Sequence, residues 1–346
     1  MQTHGRERAQ DDAVRTLIET YHEHNSAVIE ELTAEPSPLQ FMRYVASNRP
    51  FVVRKAARSW HALRQWDSEY LRKAMDGKSV NVAMTPIGNA DGLVEDKHGN
   101  LILVEPYETQ ETFAAFLDYV RADAQLTQQE RVGRNVKYAQ TQNDNLRDEY
   151  SPLLGDVPGD IGFASAGLDL LPDAVNFWLG NERSVTALHK DNYENIYVQV
   201  RGQKHFVLLP PSDMPCVNEV PTRFGSYQPV SEDETRLEPQ LYEGGNPVPT
   251  PTWDPDEPEE RTSQYSYLSR PLRVTLDEGD MMYLPAMWYH KVAQSCGEEH
   301  FSCSVNYWYD MTFDGHFWAQ NCFLRGVVEN AAKRVDYPEL EMGGED

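Results

Sequence analysis

The sequence is poor in cysteine, in positive charge and in long apolar runs, and each shortage removes a class of protein. Its four cysteines, Cys216, Cys296, Cys303 and Cys322, form no CxxC pair and fall far short of a secreted disulfide scaffold, so they read as reduced structural thiols. Four scattered thiols also cannot build the zinc-binding reader modules of chromatin proteins. No segment approaches the roughly 20 apolar residues that span a bilayer, and the polar start of the chain has no apolar stretch of signal-peptide length. Cytoplasm or nucleus is therefore the expected location, without a membrane partner. Lysine and arginine total 31 against 55 acidic residues, a net charge of −24, which would repel a phosphate backbone. Nucleic acid is thus disfavoured, and a basic protein or peptide suits the field better. Neither an HExxH pattern nor a nucleophile triad is present, and no internal repeat is visible.

What is present is a chain of 346 residues with 40% hydrophobic and 25% charged residues, enough to bury a sizeable core. Apolar residues at three- and four-residue steps across residues 12–32 predict an amphipathic helix. A second helix is expected after Ser37 with Pro38 at its first position, and Asp67 or Ser68 is placed to cap another running through Leu71 and Met75. Strand signals dominate from Val80 onward. IYVQVRGQKHFVLLP, residues 196–210, predicts a hairpin turning at Gly202, and MMYLPAMWYHKV reads as continued strand. Residues 231–260, rich in Pro, Asp and Glu, predict a long surface loop. Many closely spaced strands point to a barrel or sandwich. After Asp310 the pattern turns helical and more apolar than one packed face requires, which suggests a partner, a second copy included, and the acidic tail after Asp336 reads as mobile.

The segment TALHKDNYEN sets His189 and Asp191 two apart, so an extended backbone would project both from one face. Barrel closure could bring His290, which follows MMYLPAMWY, alongside them. Two imidazoles and one carboxylate on one face of a metal suit iron(II) and leave positions open for a co-substrate and oxygen. Lys204, at the start of the second strand of the expected hairpin, could point into the barrel and pair with the distal carboxylate of a dicarboxylate such as 2-oxoglutarate. Tyr197 shares a strand face with Asn195 and would line the same pocket. Trp178, Trp288 and Trp308 read as core or rim packing.

The stretches DAVNFWLG, VTALHKDNYENIYVQVRGQKHFVLLPPSD, MMYLPAMWYHKVAQS and SVNYWYDM resemble the Jumonji-C (JmjC) oxygenases, in particular a small bifunctional peptidase and lysyl hydroxylase subgroup. The resemblance runs from about Arg49 to Asp310. It implies a mainly β fold with flanking helices, a double-stranded β-helix or jelly-roll barrel of cupin type over residues 136–310. Residues 1–135 would form an α/β extension packed on that barrel, and 311–346 a C-terminal helix, through which a homodimer is expected, and a tail. It further implies Fe(II) held by His189, Asp191 and His290, with 2-oxoglutarate and O2 as co-substrates. Lys204, Thr186 and Tyr138 would hold the 5-carboxylate, and Asn195 and Asn306 would lie near the metal and co-substrate. The implied reaction is hydroxylation of a lysine on a protein, with developmentally regulated GTP-binding proteins as substrate class. N-methyl demethylation, endopeptidase activity and a catalytically silent cupin that only binds a partner remain the alternatives.

Overall fold

Two facing β-sheets enclose a pocket, and helices cover the outer face of one of them. The computed structural model describes residues 2–96, 99–142, 144–230 and 236–336. In chain order the N-terminal elements are α1 (Gln2–His24), β1 (Glu30–Leu32), α2 (Pro38–Ser47), β2 (Phe51–Val53), α3 (His61–Gln65), α4 (Ser68–Ala74), β3 (Ser79–Thr85), β4 (Asn89–Ala90), β5 (Gly92–Glu95), β6 (Leu101–Glu105), β7 (Tyr107–Thr112) and α5 (Phe113–Ala124). Next come β8 (Val136–Tyr138), α6 (Gly162–Leu168), β9 (Ala174–Gly180), β10 (Val185–His189), β11 (Tyr193–Arg201), β12 (Gln203–Leu209), β13 (Glu219–Pro229), β14 (Leu237–Leu241) and β15 (Val248–Pro251). The chain continues through β16 (Leu272–Leu276), β17 (Met281–Leu284), β18 (Tyr289–Ser295), β19 (Ser302–Asp310) and α7 (His316–Asp336). Among the described residues no helix is long and apolar enough to cross a membrane.

Local chemistry sets the helix starts. Ser37 accepts from the Gln40 amide while the Gln40 side chain accepts from the Ser37 amide, a capping box with Pro38 inside it, and Asp67 caps α4 by accepting from the Tyr70 amide. The first helix departs from expectation. It stops at His24, and Ile29 and Leu32 instead fall in or beside β1, which runs parallel to β2. Three-residue steps across residues 12–32 therefore joined two elements into one.

The first sheet has the order β1-β2-β17-β11-β19-β9 and the second β16-β12-β18-β10-β4. This is the double-sheet, cupin-like architecture expected of a jelly roll. The predicted hairpin is corrected by this order. β11 pairs with β17 and β19, β12 pairs with β16 and β18, and the two strands flanking Gly202 lie in different sheets. Gly202 (φ 68°) makes a corner, and a Cβ there would stand 2.5 Å from the Ser295 carbonyl oxygen. MMYLPAMWYHKV splits in the same way, into β17 of the first sheet and β18 of the second. The segment 231–260 is also corrected: β14 and β15 within it pair with β13, placing Pro239 opposite Tyr227 and Pro249 opposite Pro221. Proline survives there because β14 and β15 are peripheral strands that have no second neighbour among the described residues. Residues 231–235 and the tail after Asp336 lie outside the described residues.

The outer face of the first sheet buries Val175, Phe177, Ile196, Tyr283, Val305 and Tyr307 against the N-terminal elements, with Phe41, Trp60 and Trp66 in the same core. Between the sheets a second cluster joins Trp178, Tyr197 and Phe206, which line the pocket, to Leu208, Leu276 and Trp288. Most of the apolar excess of α7 is used within the chain. Leu324 and Val328 pack on Leu188 and Leu209, while Phe317 and Trp318 pack on Met287 and Met311; Phe323 stays exposed.

Candidate metal centre

Strand alternation aims the site. In the ladder between β12 and β18, Lys204, Phe206 and Leu208 stand opposite Gln294, Val292 and His290, so the period of two sends these six side chains to the pocket face. On the other edge of β18, His290 stands directly across from His189 of β10. From the facing sheet Asn195 and Tyr197 of β11 pair with Trp308 and Asn306 of β19. All four line the same cavity as the two histidines, Asp191, Thr186 and Tyr138.

Asp191 lies just past the end of β10, where its carbonyl accepts from the Met287 amide at 2.8 Å. Its Oδ2 stands 3.8 Å from His189 Nε2 and 3.6 Å from His290 Nε2, and the ligand atoms of all three residues lie within 4.8 Å of one another. Each imidazole turns its other nitrogen to a backbone carbonyl, His189 Nδ1 to Ala187 at 2.8 Å and His290 Nδ1 to Trp288 at 3.0 Å. Those contacts fix Nδ1–H as donor and leave both Nε2 lone pairs facing Asp191, the second-sphere arrangement of metal-bound histidine. Burial, and then the neighbouring His189, push His290 down to about 4, so its ring is neutral and able to ligate at physiological pH. The donor set fits a divalent metal of the iron type.

Lys204 is buried at 2% exposure, and its Nζ donates to Tyr138 Oη at 2.7 Å. Among the described residues no carboxylate pairs with it; burial lowers its pKa to about 7. Thr186 lies on β10 opposite Val292 of β18, close along the strands to the histidine pair. Asn306 accepts from Trp178 Nε1 at 2.8 Å and donates to Asn195 Oδ1 at 3.0 Å, while Tyr197 Oη and Ser304 Oγ are 2.9 Å apart. The indole Nε1 of Trp308, a residue of the cavity wall, is buried without a hydrogen-bond partner among the described residues. The tryptophans divide accordingly: Trp178 and Trp308 form pocket wall, whereas Trp288 donates to Asn48 and belongs to the core.

A cupin-like domain model matches residues 36–315. The chain is 38% identical over 285 residues to the bifunctional peptidase and (3S)-lysyl hydroxylase JMJD7 of Homo sapiens, covering 82% of this chain and 84% of that protein. It is 36% identical over 297 residues to lysine-specific demethylase JMJ32 of Arabidopsis thaliana, covering 83% of each. JmjC domain-containing protein E of Dictyostelium discoideum is 30% identical over 301 residues, with 82% of this chain and 84% of that protein covered. The chain belongs to the cupin-like JmjC oxygenases. Members of this family use Fe(II) and 2-oxoglutarate, and the His189, Asp191, His290 group has the ligand chemistry that such iron requires.

The sequence did not reveal what holds the metal ligands in place. Lys190, between two of them, donates to Glu219 Oε1 at 2.6 Å and to Tyr289 Oη at 2.5 Å. Tyr289, which precedes the third ligand, donates to the same Glu219 oxygen at 2.5 Å. Arg325 of α7 reaches the other Glu219 oxygen at 3.1 Å. Glu219 is remote in sequence from the ligands and carried no local pattern. Asp91 was missed as well, and only the parallel pairing of β4 with β10 brings it near the site.

Proposed function

We propose that this JmjC oxygenase is a protein lysyl hydroxylase that takes 2-oxoglutarate onto iron and hydroxylates a lysine side chain of a basic partner. The observation that carries the co-substrate is Lys204, a buried amine whose one hydrogen-bond partner among the described residues is the hydroxyl of Tyr138, a side chain that lines the cavity of the three clustered metal ligands. A dicarboxylate would place one carboxylate on Lys204, with Thr186 and Tyr138 beside it, and its 2-oxo acid end toward His189, Asp191 and His290. Iron held by His189, Asp191 and His290 would supply the redox chemistry, in which 2-oxoglutarate would be oxidatively decarboxylated to succinate and carbon dioxide, with one oxygen atom of O2 ending in succinate and the other in the substrate C–H bond. The protein's own residues bind, orient and exclude water. Aromatic walls from Trp178 and Trp308 and the amide pair Asn195–Asn306 limit what can stand near the metal. The lysyl reading is supported by JMJD7, which carries that activity in its name, and by the net charge of −24.

Demethylation is the second reading, because JMJ32 is named a lysine-specific demethylase at similar identity. Both are separated by incubating anaerobically purified protein with iron(II), 2-oxoglutarate, oxygen and lysyl or methyl-lysyl peptides, with Asp191→Ala as control. Succinate together with a one-oxygen mass gain on unmethylated lysine, absent in the control, is expected. Formaldehyde and loss of a methylene from the methylated peptide alone would replace hydroxylation with demethylation.

A further inference from the structure

Carboxylates near the site nearly all have partners. Glu194 accepts from Tyr283 Oη at 2.6 Å and from the Ala286 amide at 3.1 Å, Glu105 accepts from Tyr242 Oη at 2.5 Å, and Glu219 holds Lys190 and Tyr289. Asp91 is different: among the described residues its carboxylate has no hydrogen bond and no ion pair. Its position follows from the ladder. Asn89 and Ala90 of β4 run parallel to Val185 and Thr186 of β10, and Asp91 is the next residue, where the chain turns in the left-handed region (φ 53°) before β5. It thus leaves the sheet beside the stretch of β10 that leads from Thr186 to His189. Burial raises its carboxyl to about 6, His189 pulling down and Glu105 and Glu108 pushing up. At neutral pH it is an ionised, half-buried carboxylate without a cation beside it among the described residues, a state that a cation would relieve.

We infer that Asp91 receives the ε-ammonium group of the substrate lysine and so determines specificity at the metal centre. The inference deepens the lysyl hydroxylase reading and rests on it. The relative JMJD7 is named for hydroxylation at carbon 3. From that carbon the extended side chain runs four bonds to the nitrogen, about 5 Å. The head group then needs an acceptor beside the metal rather than on it, and Asp91 directly follows the β4 residue that pairs with Thr186, close enough for the charges of His189 and Asp191 to act on it. A carboxylate accepts hydrogen bonds from an ammonium group but none from a trimethylated nitrogen, so the same residue favours unmethylated lysine over the fully methylated form.

The test compares wild type with Asp91→Asn, since asparagine keeps the shape and tolerates the left-handed backbone. Two peptides are used, one that wild type hydroxylates at lysine and its twin with norleucine in place of that lysine. Expected for Asp91→Asn is a rise in KM for the lysyl peptide of about tenfold or more. The KM for 2-oxoglutarate, the iron content and turnover of the norleucine twin should not change. An unaltered lysyl KM overturns the inference, and so does an equal loss on both peptides, which would make Asp91 a positioning residue for the loop. Failure of wild type to hydroxylate any lysyl peptide would defeat the underlying hydroxylase reading, and this inference with it.

Discussion

Lys204 sits in an environment where a lysine cannot comfortably carry its charge. Burial dominates its ionisation, and Tyr138 offers a hydroxyl rather than a charge. In the folded chain its pKa is about 7, whereas an unfolded lysine stays near 10.5. Between these values the unfolded state binds more protons, so the contribution of Lys204 to the stability of the ligand-free protein rises with pH across that window and is least favourable below pH 7. A dicarboxylate reverses the balance by restoring the charge. At pH 8, 2-oxoglutarate binding should take up close to one proton, visible as a dependence of the calorimetric heat on the buffer's ionisation enthalpy. Lys204→Met should abolish this uptake and raise the KM for 2-oxoglutarate by about 100-fold or more, the loss expected when one partner of a buried charge pair is removed. The same variant should melt no lower than wild type without ligand, because methionine fills the volume without an ammonium group to desolvate. Uptake that persists in Lys204→Met would assign the proton elsewhere.

Between elements, Glu219 of β13 is the knot that ties β10, β18 and α7 together. It is 3% exposed at its side chain and meets Lys190, Tyr289 and Arg325, so both metal-bearing segments are fixed to one carboxylate, with the C-terminal helix on its other oxygen. Glu219→Gln keeps the shape and removes the charge. Metal affinity should weaken roughly 10-fold to 100-fold, the range seen when groups that orient ligands are lost; cobalt(II) titration followed by absorbance reads this directly. Arg325→Ala should shift it the same way but less. A lowered melting temperature with unchanged cobalt affinity would make the knot purely structural. These links also show where sequence reading stops. His290 and Lys204 are legible because each falls in a compact run whose alternation fixes its face, and His189 and Asp191 because they stand two apart where such a run ends. Pairing partners are not: a glycine between two apolar runs looks the same whether the strands pair with each other or, as at Gly202, belong to facing sheets. Prolines hid β14 and β15 because a proline count does not say which edge is left without a neighbour. Glu219 and Asp91 act only through long-range register, which no local window contains.

For the whole molecule, an excess of 24 negative charges could serve solubility alone or could also gather the substrate. The two roles differ in their response to salt. Steering acts over distances comparable to the Debye length, about 10 Å at 0.1 M and 3 Å at 1 M, whereas contacts made inside the pocket are screened much less. If the acidic field guides a basic segment to the opening, kcat/KM for a lysyl peptide with basic flanks should fall severalfold between 50 and 500 mM salt while kcat holds. A peptide with the same lysine in neutral flanks should lose much less. The Asp91 contact predicts a remainder that salt does not remove, since an ammonium group held by a half-buried carboxylate is sheltered from ions. Basic and neutral flanks falling in parallel would confine the charge to solubility, and recognition would then reside in the cavity between the two sheets.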